Sequence, residues 1–337
     1  MNTFEQQQEL FALKTRARVD PRITAMEVAA SRKGTIVTIA GFSANHHTDA
    51  CVRAVAADVF GRRNVRFELK VLTRDYPLSF YEVTVANAVF YKTTKIIKAD
   101  LLTEAFCGSV IRGYFEHKGW IFCQHSDGYV GYVPKASLVP ADKKRYLRWK
   151  NGKCATLQRT VKLGGMSLAP CTRLIYDNGR VNLPGDKWVR VSARDIKVSK
   201  PGNPAFIRSV RRHTWPTFKN TKYLWGGKTQ IGIDCSGFMQ TLALLEGILL
   251  PRDASMQAYV GEITGYLPDY SDMLPGDLIL FINDQAKYFH VGIWIGNDMF
   301  LHSSGTKNII ISSMHPSGKN YMARYGETFA FGRRIHL

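Results

Sequence analysis

The chain has 337 residues, 45% of them hydrophobic, with 46 Lys/Arg against 27 Asp/Glu and a formal net charge of +19. That is apolar content enough to bury cores in two to four domains. No apolar run approaches the ~20 residues of a membrane span, and the opening MNTFEQQQELFALKTRAR lacks the apolar segment of a secretory signal, so a soluble globular protein that stays in the cytoplasm is expected. Cys51, Cys107, Cys123, Cys154, Cys171 and Cys235 form no CxxC pair and no zinc spacing, which suits free thiols in a reducing compartment and a chain needing no metal or other cofactor. The charge is uneven: residues 1–203 carry 33 Lys/Arg against 17 Asp/Glu, and residues 204–337 carry 13 against 10. Such a field attracts acidic ligands, anionic lipid or nucleic acid, and equally suits a solvated basic face.

In chain order, residues 1–77 read as an arm and a small α/β unit, with a short helix over 21–31, a strand over 35–40, a helix over 48–59 and a strand over 65–72. His46 and His47 fall in a turn between them. The run GTIVTIAGFS, a helix, then FGRRNVRFELKV faintly resembles BON domains, which are associated with envelopes and phospholipid surfaces; contact of the basic half with an anionic membrane surface fits that resemblance. Residues 78–140 change to short strands, five of them, suited to a small barrel. The turn at Lys118-Gly119-Trp120 and the segment DGYVGYVP from Asp127 to Pro134 resemble a bacterial SH3 module, with Tyr132 where that family closes its GYxGW turn with tryptophan. Residues 141–200, with turns at Asn151-Gly152, Gly164-Gly165, Asn178-Gly179 and Pro184-Gly185, read as a second, more diverged copy. Pro201, Gly202 and Pro204 mark a linker into residues 201–337.

The last unit holds the chemistry. Gly226, Gly227 and Gly232 give a flexible approach to Asp234-Cys235-Ser236, after which Phe238, Leu242, Leu245 and Leu249 recur at helical spacing. Cys235 therefore opens a helix, where unpaired N–H groups and the helix dipole favour a thiolate; Asp234 caps that helix. In YFHVGIWIGNDMFLHSSG, His290 lies on a strand that turns at Gly296-Asn297-Asp298. A three-residue loop would pair Ile295 with Met299 and Gly292 with His302, bringing His302 diagonal to His290 on one face; a two-residue loop would flip it away. A thiol, a base and a group that orients the base are the parts of a thiol hydrolase.

YLWGG, GIDCSG, LPGDLILF and HVGIWIG, in that order over residues 204–335, resemble the NlpC/P60 family of papain-like cell-wall peptidases. The resemblance implies a multi-domain α+β protein whose papain-like core, a Cys-bearing helix on an antiparallel sheet, follows small SH3-like barrels. It further implies catalytic roles for Cys235 as nucleophile, His290 as base and His302 as its orienting partner. On the substrate side it points to Tyr223, an oxyanion donor beside the Cys235 N–H, to the neighbouring Ser236, and to Tyr129 and Asp253. Pro251-Arg252-Asp253 is similar to a PRDS motif whose aspartate binds the free amine of the substrate's L-alanine, here with Ala254 in place of serine; Asp253 as a plain helix cap over 254–260 is the other reading. Lys222 stands where a proline commonly precedes the tyrosine. Ser109 stands where relatives carry a second acid, which Glu104 would have to replace. The expected activity is hydrolysis of the γ-D-glutamyl–diamino acid bond in short, acidic murein peptides with a free L-alanyl end, in cell-wall peptide recycling, without metal. Two alternatives stay open: a catalytically silent basic protein tethered to wall fragments, lipid or nucleic acid, the last disfavoured, and a papain-like amidase for another acyl substrate.

Overall fold

The computed structural model describes residues 3–199, 215–266 and 271–335, so the expected linker at Pro201, Gly202 and Pro204 lies outside the described residues. The chain begins with a helix, Thr3–Arg16, followed by strands Glu27–Lys33 and Ile36–Ser43, helix His46–Phe60 and strand Val65–Val71. The first two strands form an antiparallel hairpin, and the third returns parallel to the second through the helix. Asn45 starts that helix, its side chain accepting the N–H groups of His47 and Thr48. Phe11 of the first helix packs with Val37, Ile39, Val52, Val55 and Phe60 in one core.

The helix expected over 21–31 is not there. Asp20 accepts the N–H of Arg22 at 3.0 Å and closes a turn, and the stretch beyond it pairs from Glu27 to Lys33 with the next strand. Alternation of Val28 and Ala30 with exposed residues fits a half-buried strand once that partner is present. Helix Thr3–Arg16 was not anticipated at all; its few apolar residues find their core only against the second helix.

The SH3-like unit is one seven-stranded antiparallel sheet rather than five strands, with Ser79–Val83, Val110–His117, Trp120–Gln124 and Val130–Pro134 adjacent in that order. Its core holds Val83, Phe90, Ile111, Ile121 and Val133. A helix, Lys143–Asn151, leads to a five-stranded antiparallel sheet spanning residues 154–199, built over Leu157, Leu168, Leu174 and Val181.

The last unit is a six-stranded antiparallel sheet ordered Glu262–Tyr266, Phe329–Arg334, Leu278–Ile282, Tyr288–Gly296, Met299–Ser304, Asn308–Ser313. Helix Cys235–Leu245 buries Phe238, Met239 and Leu242 against Leu280, Val291 and Leu301 of that sheet. The helix ends at Leu245, so Leu249, expected on its buried face, is 46% exposed. The glycines before Cys235 are close contacts rather than flexible points. Gly226 has φ +79°, and a Cβ there would lie 2.1 Å from Leu101 of the SH3-like unit, so glycine is what lets the two units touch.

Candidate active site

Asp234 takes extended backbone and caps the helix, its Oδ1 accepting the Gly237 N–H at 2.7 Å. Its Oδ2 accepts the Gly226 N–H at 2.7 Å. The fully buried Arg252 donates Nη1 to Oδ1 at 3.0 Å and Nη2 to Oδ2 at 2.6 Å, and Nη1 also reaches Ser236 Oγ at 2.9 Å. A bidentate, charge-assisted fork thus locks the turn that presents the thiol. Ser236 spends its hydroxyl on this lock.

Cys235 is buried to 7% exposure but lines a cleft of about 1070 Å³ together with His290, Tyr223 and Asp253. Its thiol departs from the sequence expectation. Burial, then the Asp234 charge, push it up to about 12, against the smaller opposing effects of the Val291 N–H, the Arg252 charge and the Ser236 N–H. The helix start alone would lower it; the carboxylate that caps the helix and the removal of water reverse the sign.

The hairpin carrying the two histidines solves its register in an unexpected way. The loop has two residues, Asn297 and Asp298, both at φ 54°, as a type I′ turn requires. Gly296 pairs with Met299, and a bulge at Ile295 then restores Trp294 opposite Phe300 and Ile293 opposite Leu301. The extra residue cancels the face flip that a two-residue loop would impose. His290 Nε2 and His302 Nδ1 meet at 2.8 Å, and His302 Nε2 meets Ser312 Oγ at 3.0 Å. Gly292 leaves the room: a Cβ there would fall 2.9 Å from Phe300 and 3.2 Å from His302.

A free Nδ1 on His290 requires its proton on Nε2, donated to His302 Nδ1, and His302 then donates Nε2–H to Ser312. Burial, the neighbouring His302 and the Arg324 charge hold His290 well below the usual imidazole range, and burial takes His302 down to about 3. The resting site is a neutral thiol beside a neutral base. Tyr325 stacks on His290 with ring centroids 4.6 Å apart and meets His302 edge-on at 4.9 Å.

Across the cleft, Tyr129 of the SH3-like unit donates its hydroxyl to Asp253 Oδ2 at 2.5 Å. Asp253 stands at the N-cap position of helix Ala254–Gln257, shorter than the 254–260 expected, and makes no side-chain cap. The residue lines the cleft. Behind the catalytic helix, buried Asp127 accepts from Thr103 at 3.0 Å and pairs with His125 at 2.9 Å and Lys228 at 3.3 Å. Burial acts to raise that carboxyl, but His125 and Lys228 outweigh it and hold it well below the usual range. The same Asp127 accepts the Tyr129 N–H at 3.1 Å, so the clamp between the two units also sets Tyr129.

One expectation, that Glu104 replaces the acid missing at Ser109, fails here. Glu104 accepts the Lys228 N–H at 2.6 Å and does not line the cleft, and Ser109 lies behind the catalytic helix with His125, Asp127 and Lys228. Neither brings a second acid to Asp253. Tyr223 is half-buried and lines the cleft; burial and then the nearby sulfur push its hydroxyl upward, so it is a donor at neutral pH. Sequence reasoning missed Ser312, Tyr325, Arg22 and the role of Arg252. Ser312 could have been found as a polar residue on the His302 face of a strand, whereas Arg22 carried no signal.

A papain-like helix and sheet, joined to an SH3-like barrel at a Cys/His/His site, define the class. The sequence model described as the NlpC/P60 family matches residues 220–325, and that described as the bacterial dipeptidyl-peptidase Sh3 domain matches residues 97–138. A probable endopeptidase of Haemophilus influenzae is 33% identical over 121 residues, 35% of this chain and 71% of the relative. A gamma-D-glutamyl-L-lysine dipeptidyl-peptidase of Bacillus cereus is 32% identical over 160 residues, 46% of this chain and 45% of the relative. Other curated relatives are spanned over about half their length, 56%. The crystal structure of an NlpC/P60 family protein from Bacillus cereus superposes with TM-score 0.61 at 20% identity, covering 77% of this chain and 100% of that one, which establishes a shared fold. The chain belongs to the NlpC/P60 family.

Proposed function

We propose that the chain is a cysteine endopeptidase that hydrolyses the bond between γ-D-glutamate and lysine or diaminopimelate in short murein peptides, with the peptide's L-alanyl end at Asp253 and Tyr129. The observation that carries this reading is the Tyr129–Asp253 contact, which joins the SH3-like and peptidase units over the cleft that holds Cys235. The Bacillus cereus relative named for a γ-D-glutamyl-L-lysine bond matches over 160 residues, longer than the peptidase unit alone, which supports the same bond here. Arg16, Lys92, Lys287 and Arg324 also line the cleft and form no ion pair among the described residues. They suit a substrate whose γ-linked glutamate leaves its α-carboxylate free. Recycling of wall peptides is a setting in which such short substrates arise.

In the reaction, His290 Nδ1 takes the thiol proton as Cys235 Sγ attacks the γ-carbonyl, and His302 with Ser312 holds the ring in the tautomer that can accept it. Tyr223 and the Cys235 N–H stabilise the oxyanion. The C–N bond breaks as His290 returns its proton to the leaving amine. Water, deprotonated by the same ring, then hydrolyses the thioester. The test is mass analysis of L-Ala-γ-D-Glu-L-Lys and its diaminopimelate counterpart after incubation with the full chain. Release of L-Ala-γ-D-Glu, unaffected by EDTA and absent with Cys235→Ala, is expected. Cleavage that survives Cys235→Ala, or that EDTA abolishes, contradicts the reading.

A further inference from the structure

The carboxylate assigned to the peptide's amino end already holds a cation from this chain. Arg22 Nη1 lies 2.5 Å from Asp253 Oδ2, the oxygen that also accepts the Tyr129 hydroxyl, and 3.0 Å from Ser255 Oγ. The contact joins residues 231 apart in sequence and comes from the N-terminal unit, which neither family model covers. It is not a passing approach of a loose side chain. Asp20 grips the other edge of the guanidinium through Nε at 3.0 Å and Nη2 at 2.7 Å. The main chain is fixed to the SH3-like barrel, where Val130 N–H donates to Arg22 O at 2.9 Å and Gln124 Nε2 donates to Ile23 O at 2.8 Å.

We propose that Arg22 is a specificity-determining residue that replaces the substrate's ammonium at Asp253, so that peptides with a capped amino terminus are accepted as well as those with a free one. The proposal rests on the placement of the peptide's amino end at Asp253. Two observations support it beyond the salt bridge. Neither Glu104 nor Ser109 supplies a second acid to the seat, and Asp253 already pairs with Arg22, whose guanidinium it shares with Asp20. Because of that pair an incoming ammonium meets a held guanidinium of like charge, which lowers the gain that would favour a free amine. The same cleft that Arg22 lines also carries apolar surface from Phe11, Ala12, Met26, Val28 and Phe122, which suits a capping group better than a bare ammonium.

The experiment compares L-Ala-γ-D-Glu-L-Lys with the same peptide acetylated on its L-alanyl amine. Cleavage by the full chain is measured, together with binding to the Cys235→Ala variant by calorimetry. For the wild-type cleft, the two peptides are expected to agree within about fivefold in both readouts. Arg22→Gln, which bares Asp253, is expected to shift the ratio toward the free amine by about fivefold or more, and Arg22→Lys, which keeps the cation, to leave it near wild type. Preference of the wild type for the free amine by a hundredfold, or an unchanged ratio in folded Arg22→Gln, overturns the proposal. Binding without cleavage removes the proposed activity while the ratio of affinities still judges Arg22; absence of binding by both peptides overturns both.

Discussion

Alkylation of Cys235 as a function of pH gives the sharpest view of how the site is armed. With the thiol pushed up to about 12, the thiolate fraction at pH 7 is about 10⁻⁵, against about 3% for an ordinary thiol near 8.5. A more basic thiolate is intrinsically more nucleophilic, which recovers about thirtyfold and leaves iodoacetamide about a hundredfold slower at pH 7 than with a free cysteine. More diagnostic is the slope: the rate should climb about tenfold per unit from pH 6 to pH 10 without levelling. The assay is pH-dependent alkylation followed by mass mapping, with the thiolate absorbance near 240 nm recorded in parallel and Cys235→Ala subtracted. Cys51, half-buried, is the other cysteine open enough to react early. Turnover should behave differently, because His290 is held well below its ordinary range and stays an unprotonated base as pH falls from 8 to 6. A rate plateau reached by pH 6, with thiolate absorbance at pH 7, would mean a preformed thiolate–imidazolium pair and would refute the neutral resting state.

Gly292→Ala places a methyl 2.9 Å from Phe300 and 3.2 Å from His302, so kcat should fall by about tenfold or more while the far-ultraviolet dichroism is kept; unchanged kcat would show that the histidine spacing tolerates the shift. His125, His290 and His302 are buried with lowered pKa values, so below pH 6.5 the unfolded chain takes up protons that the folded chain refuses. Stability should therefore drop as pH falls through 6.5 toward 4.5, by up to about 1.4 kcal/mol per unit for each histidine, and a flat chemical-denaturation midpoint across that window would contradict this. Asp127→Asn leaves the Lys228 ammonium buried without its carboxylate and should cost about 3–5 kcal/mol in unfolding free energy, read from urea melts; a loss under 1 kcal/mol would show that the clamp between units is not held by this charge.

The catalytic unit was legible because its chemistry is written in local pattern. Cys235 follows a capping aspartate at the head of an apolar helix, and His290, Gly292 and Trp294 alternate along one strand with Val291, Ile293 and Ile295. The position of His302 was reached by a different route from the one the spacing suggested, since two-residue turn chemistry and a bulge at Ile295 together reproduce the register of a three-residue loop. Pattern also misjudged electrostatics: it assigned the helix dipole to the thiol but could not weigh burial or the full charge of Asp234. What stayed hidden was long-range. Arg22 reaches Asp253 across 231 residues, and the helix at 3–16 has too few apolar positions to declare itself before its partner helix is in place.

The central claim is that the sulfur of Cys235 carries the acyl group during turnover. Rapid acid quench of the full chain with L-Ala-γ-D-Glu-L-Lys, followed by peptide mapping, should find an L-Ala-γ-D-Glu thioester on the peptide containing Cys235 and on no other cysteine. Product formation with Cys235 unmodified at every quench time, and undiminished in Cys235→Ala, would contradict the account.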